Sequence, residues 1–275
     1  MALSINQNIM AMNSYRNLSA TQGGLAKSLE KLSSGFRVNR AADDAAGLGI
    51  SEGLRSQVRG NGQAVRNAQD GISLVQTAEG ALNEVHDMLQ RMRVLAVQGA
   101  NGTNSDANKG SINEELTALS EEIGRIGKVT DFNGLKLLDG DKEVTFQVGA
   151  NATADDTIKV KSQDISGYKA ALDTKITAAK DNNTYQALIT ELDGKIADVS
   201  TKRGSFGAVQ NRFEHTINNL NVAVENLAAS ESRIRDTDMA AEMMQFTRGQ
   251  ILSQAGTAML AQANQVPQSV LSLLR

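Results

Sequence analysis

Proline is almost absent from this sequence, and its absence constrains the fold more than any other feature. Pro267 is the one proline among 275 residues, so no proline ring interrupts the first 266 residues. A proline inside a helix removes a backbone hydrogen bond and clashes with the preceding turn. Long, continuous helices are therefore permitted over nearly the whole chain.

Aromatic residues are also scarce. They make up 3% of the chain, and tryptophan does not occur. Aromatic side chains supply much of the buried area in ordinary cores. Aliphatic side chains must replace them here, in narrow stripes along helices, so the composition favours packed helices over one large round core.

Two heptad patterns predict a coiled coil. From Leu192 to Ile234, steps of four and three residues alternate, and ten of thirteen positions are apolar. An earlier segment repeats the pattern, as expected for helices that pair along one face. The positions expected to pack form what we call the rod seam: Leu54, Val58, Val65, Ile72, Val75, Leu82, Leu89, Phe213, Ile217, Leu220, Val224 and Leu227.

Both ends of the chain are amphipathic as well, although termini are usually polar. A lone terminal helix buries too little apolar area to offset the entropy of ordering it. We therefore expect the ends to pack on each other and on other copies of the chain. The positions expected to do so form the terminal seam: Ile5, Ile9, Met12, Leu18, Leu25, Leu29, Leu32, Leu252, Met259, Val266, Val270 and Leu273.

The middle of the chain changes character. Val144, Phe146 and Val148 alternate with polar residues, and so do Ile158 and Val160, which predicts a β-hairpin near residues 144–160. The predicted fold is mainly α: a long antiparallel coiled-coil or helical-bundle rod with a small β-hairpin.

The sequence offers little for catalysis. The two histidines, His86 and His215, are far apart, and cysteine is absent. A calcium-loop pattern at Asn104, Asp106, Asn108 and Glu115 has Lys109 where the loop needs glycine. We predict a protein that is not an enzyme and has no cofactor or metal site.

Methionines at helical spacing are interpreted as core filler: Met239, Met243, Met244 and Met259.

Charge and hydropathy argue against nucleic acid and membranes as partners. The net charge is −3, and arginines near the N-terminus are interspersed with carboxylates, so nucleic-acid binding is not expected. No stretch has the ~18 consecutive apolar residues of a membrane span, and the first twenty residues lack the apolar region of a cleaved signal.

Several strings carry more information than their periodicity. They include EKLSSGFRVNRAADDAAGLGIS at residues 30–51, DFNGLKLLDG at 131–140 and ENLAASESRIRDTDM at 225–239. These strings resemble the bacterial flagellins. The resemblance covers residues 1–140 and 195–275, which leaves out only the middle of the chain.

The resemblance implies a structural subunit that polymerises into the flagellar filament for motility. Residues 1–40 and 236–275 would be paired terminal helices that form the filament core and are disordered in the monomer. Residues 41–235 would form a rod-like helical domain, which includes a short variable region at 141–190. The subunit would be secreted by flagellar type III export without a cleaved signal.

The resemblance also implies partners. These are other copies of the chain, an export chaperone at the C-terminal segment, the filament cap, hook–filament junction proteins and host innate immune receptors. The immune-receptor and subunit contact would consist of Gln90, Arg91, Leu95, Gln98 and Glu115. Two alternatives stay open: a hook–filament junction protein, which shares the terminal helices, and an intracellular coiled-coil signalling rod.

Overall fold

A computed structural model describes the backbone of residues 7–273 and the side chains of residues 7–266. Within this range the chain forms six α-helices and two antiparallel strand pairs, which confirms the predicted fold class. The helices are α1 (Ile9–Ser34), α2 (Ala45–Gly99), α3 (Asp106–Val129), α4 (Ser166–Ala178), α5 (Asn182–Arg235) and α6 (Met239–Leu273). The strands are β1 (Asp131–Phe132), β2 (Leu135–Lys136), β3 (Glu143–Gln147) and β4 (Thr157–Lys161).

Local signals set where the helices begin and end. The side chain of Asn8 accepts a hydrogen bond from the Ala11 N–H and caps α1, which ends at Gly35 in the left-handed conformation, with φ 76°. Asp44 caps α2 by accepting from the Gly47 N–H at 2.8 Å. These caps satisfy backbone groups that a helix end leaves without partners.

The chain divides into two compact units. Residues 57–224 form the middle unit, and residues 1–56 and 225–275 form the terminal unit. The longest helices, α2 and α5, contribute to both.

In the middle unit α2 and α5 run antiparallel in a heptad register. Gly71 lies against the Phe213 ring, and Gly99 lies against the Tyr185 ring. The two contacts are 28 residues apart in each helix, or four heptads. The pairing therefore follows the predicted coiled-coil repeat, with glycines that make room for aromatic rings.

The β-hairpin of the middle unit packs on these helices. Val144 pairs with Val160 across β3 and β4, within the predicted range. The Phe146 ring meets the Phe213 ring edge-on, with centroids 5.5 Å apart. Since α2 is covered by the hairpin as well as by α5, its buried face is broader than a single seam: it also includes Ala64, Ala68, Leu74, Ala78, Val85, Met92 and Ala96.

The rod-seam positions differ in burial. The buried members are Val75, Leu82, Leu89, Phe213 and Leu220. The remaining members are partly buried: Leu54, Val58, Val65, Ile72, Ile217, Val224 and Leu227. The buried members all belong to the middle unit, where the rod seam has the most neighbours.

Candidate assembly surface on the terminal helices

Helices α1 and α6 pair closely in the terminal unit. Gly249 faces Leu25 and Gly256 faces Leu18, a spacing of seven residues in each helix, in antiparallel order. A Cβ atom at Gly256 would lie 3.1 Å from Leu18 Cδ1, so the absent side chain allows the close approach. The Asn8 side chain extends the pairing, since its Nδ2 donates to the Ala263 carbonyl at 2.8 Å.

One face of α6 is therefore covered by α1. The covered positions recur every seven residues, at Glu242, Gly249, Gly256 and Ala263. Glu242 is 7% exposed, and Lys31 Nζ lies 3.9 Å from its carboxylate, which gives this buried charge a partner.

The opposite face of α6 is apolar and uncovered. At ~100° per residue, Met243, Met244 and Ile251 lie on the side away from the covered positions. Met244 is 69% exposed and Ile251 is 61% exposed. Together with their neighbours they line an open groove: Met243, Met244, Thr247, Arg248, Ile251 and Leu252.

Helix α1 shows the same division. Leu18 faces α6 and is 8% exposed, whereas Ile9 is 67% exposed and Met12 is 62% exposed. Large apolar side chains at this exposure are unusual when many occur on one surface, and such a surface commonly binds another protein. We call the exposed apolar side chains of both helices the assembly surface: Ile9, Met10, Met12, Tyr15, Leu29, Met239, Met243, Met244, Ile251, Leu252 and Met259.

The predicted terminal seam is thus divided between two faces. Leu18 is buried, and Leu25, Leu32 and Val266 are partly buried. Its outward members are Ile9, Met12, Leu29, Leu252 and Met259. Ile5 lies outside the described residues, as do the side chains of Val270 and Leu273.

The interpretation of the C-terminal methionines as core filler is wrong for the folded subunit. Met239, Met243, Met244 and Met259 are between 48% and 69% exposed. A single seam on α6 accounts for one face of the helix, and sequence reasoning overlooked the second face. The second apolar face could have been predicted from apolar residues that lie off the seam, such as Met244 and Ile251.

Within the terminal unit, the connection between α1 and α2 contacts the connection between α5 and α6. Phe36 and Asp236 form a β-bridge between the two connections. The Arg235 guanidinium lies 4.8 Å from the centre of the Phe36 ring and forms an ion pair with Glu52 at 2.5 Å. Cation–π contact and ion pair together hold the two connections side by side.

The loop before α2 is tied by a carboxylate. Asp43 Oδ2 accepts hydrogen bonds from the Arg40 N–H at 3.0 Å and the Asn39 N–H at 3.2 Å. The Arg40 hydrogen bond is the main cause that lowers the pKa of Asp43 below its ordinary value, because it stabilises the charged form. This short loop therefore presents a fixed turn ahead of the Asp44 cap.

The predicted immune-receptor and subunit contact lies in the middle unit. Arg91 Nη2 binds Glu115 Oε1 at 2.7 Å, and both side chains are exposed. Gln90 and Gln98 are exposed too. Leu95 is only 3% exposed because it packs in the core, so its side chain is not on the surface with the other four.

The calcium-loop pattern does not form a loop. Residues from Asp106 to Val129 are helical, so Glu115 lies on α3 while Asn104 precedes the helix. Among the described residues, no three His, Cys, Asp or Glu side chains are grouped as a metal site would require. Within the same range, no helix combines the length and the apolar character needed to cross a bilayer.

A helical subunit with a packed middle and uncovered apolar terminal helices has the features of a self-assembling structural protein. Comparison with known families agrees. The profile of the bacterial flagellin N-terminal helical region matches residues 5–143, and that of the bacterial flagellin C-terminal helical region matches residues 189–274. The chain belongs to the bacterial flagellins, as its sequence motifs predicted.

Relatives match over almost their whole length. A flagellin of Halalkalibacterium halodurans is 54% identical over 272 residues, which is 98% of this chain and 99% of that one. A flagellin of Bacillus subtilis is 49% identical over 302 residues, again 98% and 99% of the two chains. This chain is accordingly a structural subunit of the extracellular flagellar filament, which is a homopolymer.

A solved structure extends the comparison of the fold. A flagellar hook-associated protein from Vibrio parahaemolyticus has a TM-score of 0.61 and is 16% identical, covering 70% of this chain and 100% of that one. At this identity the likeness concerns the fold alone.

Proposed function

We propose that subunits join the filament through the outward apolar faces of α1 and α6. One observation carries the proposal: both helices bury one face against each other and leave a second apolar face uncovered. Each large aliphatic side chain transferred from water to an interface contributes about 1.5–3 kcal/mol. Packing against neighbouring copies would supply the burial that this surface lacks in the single chain.

A single substitution on the assembly surface tests the proposal. Ile251→Ser removes an exposed apolar side chain from α6 without touching α1, so the folded subunit keeps its internal contacts. We expect the subunit concentration needed for seeded filament growth to rise roughly tenfold. Gln254→Ser is the matched control because Gln254 is exposed and polar on the same helix, and it should leave growth unchanged. Normal growth of the Ile251→Ser protein would refute the assembly surface.

The domain division is part of the proposal. Residues 1–40 and 236–275 become ordered on assembly as the filament core, and residues 41–235, including the short variable region 141–190, form the folded part of the monomer. The low burial of the terminal helices supports this division, since it leaves the entropy of ordering them largely uncompensated. Limited proteolysis of monomers should trim both ends, and an intact chain after digestion would contradict it.

Before assembly, the exposed apolar side chains of the assembly surface need a binding partner that prevents aggregation. Exposed apolar patches favour aggregation, so we propose that the export chaperone binds the C-terminal segment 236–275 before the subunit leaves by flagellar type III export. In a pull-down with the chaperone, deletion of residues 236–275 should abolish capture. Deletion of residues 1–40 is the comparison and should leave capture unchanged, and retained capture after deletion of residues 236–275 would place the binding site elsewhere.

Further partners follow from the place of the subunit in the flagellum. We propose contacts with the filament cap during growth and with hook–filament junction proteins at the base. Electron microscopy of seeded assembly distinguishes a filament subunit from a junction protein. A flagellin should extend seeds into long filaments, whereas a junction protein should stop at short assemblies.

We also propose that Arg91 contributes to a subunit contact in the filament and to an innate immune receptor contact in the monomer, together with Gln90, Gln98 and Glu115. Arginine fits such a role because its planar group binds in a forked geometry. Arg91→Ala should lower receptor activation by monomer and filament yield. Arg125→Ala is a matched control, since Arg125 also forms an exposed ion pair, with Glu122 on α3. Wild-type values in both assays would reject the role of Arg91.

A further inference from the structure

The methionines of this chain are divided sharply between its two units. In the terminal unit, the six described methionines are all highly exposed: Met10 55%, Met12 62%, Met239 48%, Met243 50%, Met244 69% and Met259 63%. The middle unit has two, Met88 and Met92. Met88 is partly buried against the core, and Met92 is fully buried. Highly exposed methionines are therefore confined, among the described residues, to the helices that carry the assembly surface.

Two of the exposed methionines, Met243 and Met244, also lie on the uncovered face. Met243 and Met244 line the open groove of α6 beside Ile251. Neither is among the positions of α6 that face α1. A chemical change at these two sulfur atoms would thus alter the assembly surface and leave the α1–α6 contact in place.

We propose that these methionines are a modification site for peroxides, and that their oxidation in the free subunit blocks filament growth. The inference rests on the assembly surface proposed above. The thioether sulfur attacks one oxygen of hydrogen peroxide, a sulfur–oxygen bond forms and the oxygen–oxygen bond breaks. The sulfur loses two electrons and becomes a sulfoxide, and the second oxygen leaves as water after proton transfer.

The product is unsuited to an apolar interface. A sulfoxide is polar and accepts hydrogen bonds, whereas the thioether it replaces is an adaptable apolar group. Burying a polar group without a hydrogen-bond partner is unfavourable. An oxidised subunit would carry this penalty at several positions of α1 and α6.

The effect should be specific to assembly. Met92 is shielded within the core of the middle unit, and Met88 is partly buried against this core, so a mild peroxide treatment that oxidises the highly exposed methionines first would leave the packing of this unit intact. In the filament, the assembly surface would be covered by neighbouring subunits, and its methionines would be protected. Free subunits are thus sensitive to peroxide, and assembled ones are resistant.

The experiment uses the full-length chain. Monomers are treated with hydrogen peroxide until mass spectrometry of peptides shows sulfoxide at Met12, Met243, Met244 and Met259, and growth is then measured on untreated seeds. We expect the critical subunit concentration to rise at least roughly tenfold, or about 1.4 kcal/mol per subunit. The circular dichroism melting curve of the middle unit should not change. Methionine sulfoxide reductases should restore growth.

A variant with leucine at all six of these exposed positions, Met10, Met12, Met239, Met243, Met244 and Met259, isolates their contribution, because leucine has a similar volume and is not oxidised. This variant should grow equally with and without peroxide treatment. Three results would each overturn the inference: normal growth of oxidised wild-type monomers, no recovery after enzymatic reduction, or equal loss of growth in the treated leucine variant. The Ile251→Ser arm is independent of oxidation, so normal growth there refutes the assembly surface separately.

Discussion

The middle and terminal units are built from similar amphipathic helices, yet they treat apolar side chains in opposite ways. In the middle unit Leu82, Leu89 and Phe213 are fully buried. In the terminal unit Leu252 is 51% exposed and Met259 is 63% exposed. The middle helices have several neighbours, including the hairpin, whereas over the described residues α1 and α6 pack mainly on each other. An apolar stripe on a helix is therefore not sufficient to bury its side chains. How much of the stripe is covered depends on the number of elements that pack against the helix.

The largest effect should come from removing the terminal helices. A chain trimmed to residues 41–235 loses the assembly surface and should form no filaments on seeds, while circular dichroism still shows a cooperative thermal transition from the middle unit. A mixture of trimmed and full-length subunits should grow only from the full-length fraction. Filaments of the trimmed chain would show that the two units do not divide folding and assembly between them.

Equivalent leucines in the two units should respond differently. Leu89→Ala creates a cavity in the packed core and should cost about 2–5 kcal/mol in free energy of unfolding. Leu252→Ala acts at an exposed site and should cost less than about 0.5 kcal/mol in the monomer. Urea denaturation followed by circular dichroism measures both values. A large loss for Leu252→Ala in the monomer would mean that the terminal helices are already packed before assembly.

Glycines in α2 sharpen the comparison within the middle unit itself. Gly99→Ala would place a Cβ atom closer to the Tyr185 ring than side chains tolerate. The strain, about 1–3 kcal/mol, should exceed the gain in helix propensity of about 1 kcal/mol, so stability falls. Gly80→Ala is the control, because a Cβ there meets no atom within 4 Å, and it should stabilise the helix. Stabilisation by both would indicate that α2 and α5 are less closely packed.

The smallest effect concerns acid stability of the middle unit. Partial burial acts to raise the pKa of Asp198, but hydrogen bonds from Tyr168 and Lys202 and the nearby lysine charges outweigh it and lower the pKa below its ordinary value. A lowered pKa gives stability that is present above about pH 4 and lost as the pH falls through the folded-state pKa. The Asp198 side chain is 46% exposed, so solvent screening keeps the contribution below about 1 kcal/mol.

Asp198→Asn should therefore make the unfolding midpoint in urea less dependent on pH below about pH 5. The Asp87→Asn protein, changed at an exposed position of α2, is the comparison. An equal change of slope in both variants would show that the Tyr168–Asp198 contact has no particular part in acid stability.

Much of the fold could be predicted because its signals are local and periodic. The alternation at Val144 and Phe146 indicated the hairpin, and β3 begins at Glu143. The heptads of α5 indicated its buried positions, which recur at Leu192, Val199, Phe206 and Phe213. The contact residues on α2 were harder to assign, since helical spacing groups Leu95 with Arg91 but does not reveal that the leucine is buried in the core.

By itself, the sequence determined that this chain is made of long helices with apolar stripes at both ends. The near-absence of proline and the heptad repeats act within a single helix, so they can be read without knowing the tertiary structure. The sequence also determined the family, because several of its multi-residue motifs resemble those of the bacterial flagellins. Only the tertiary structure decided which face of each terminal helix is covered. That choice depends on Gly256, where the missing side chain lets α1 approach α6. Since α1 covers one side of α6, Met244 and Ile251 on the other side stay exposed.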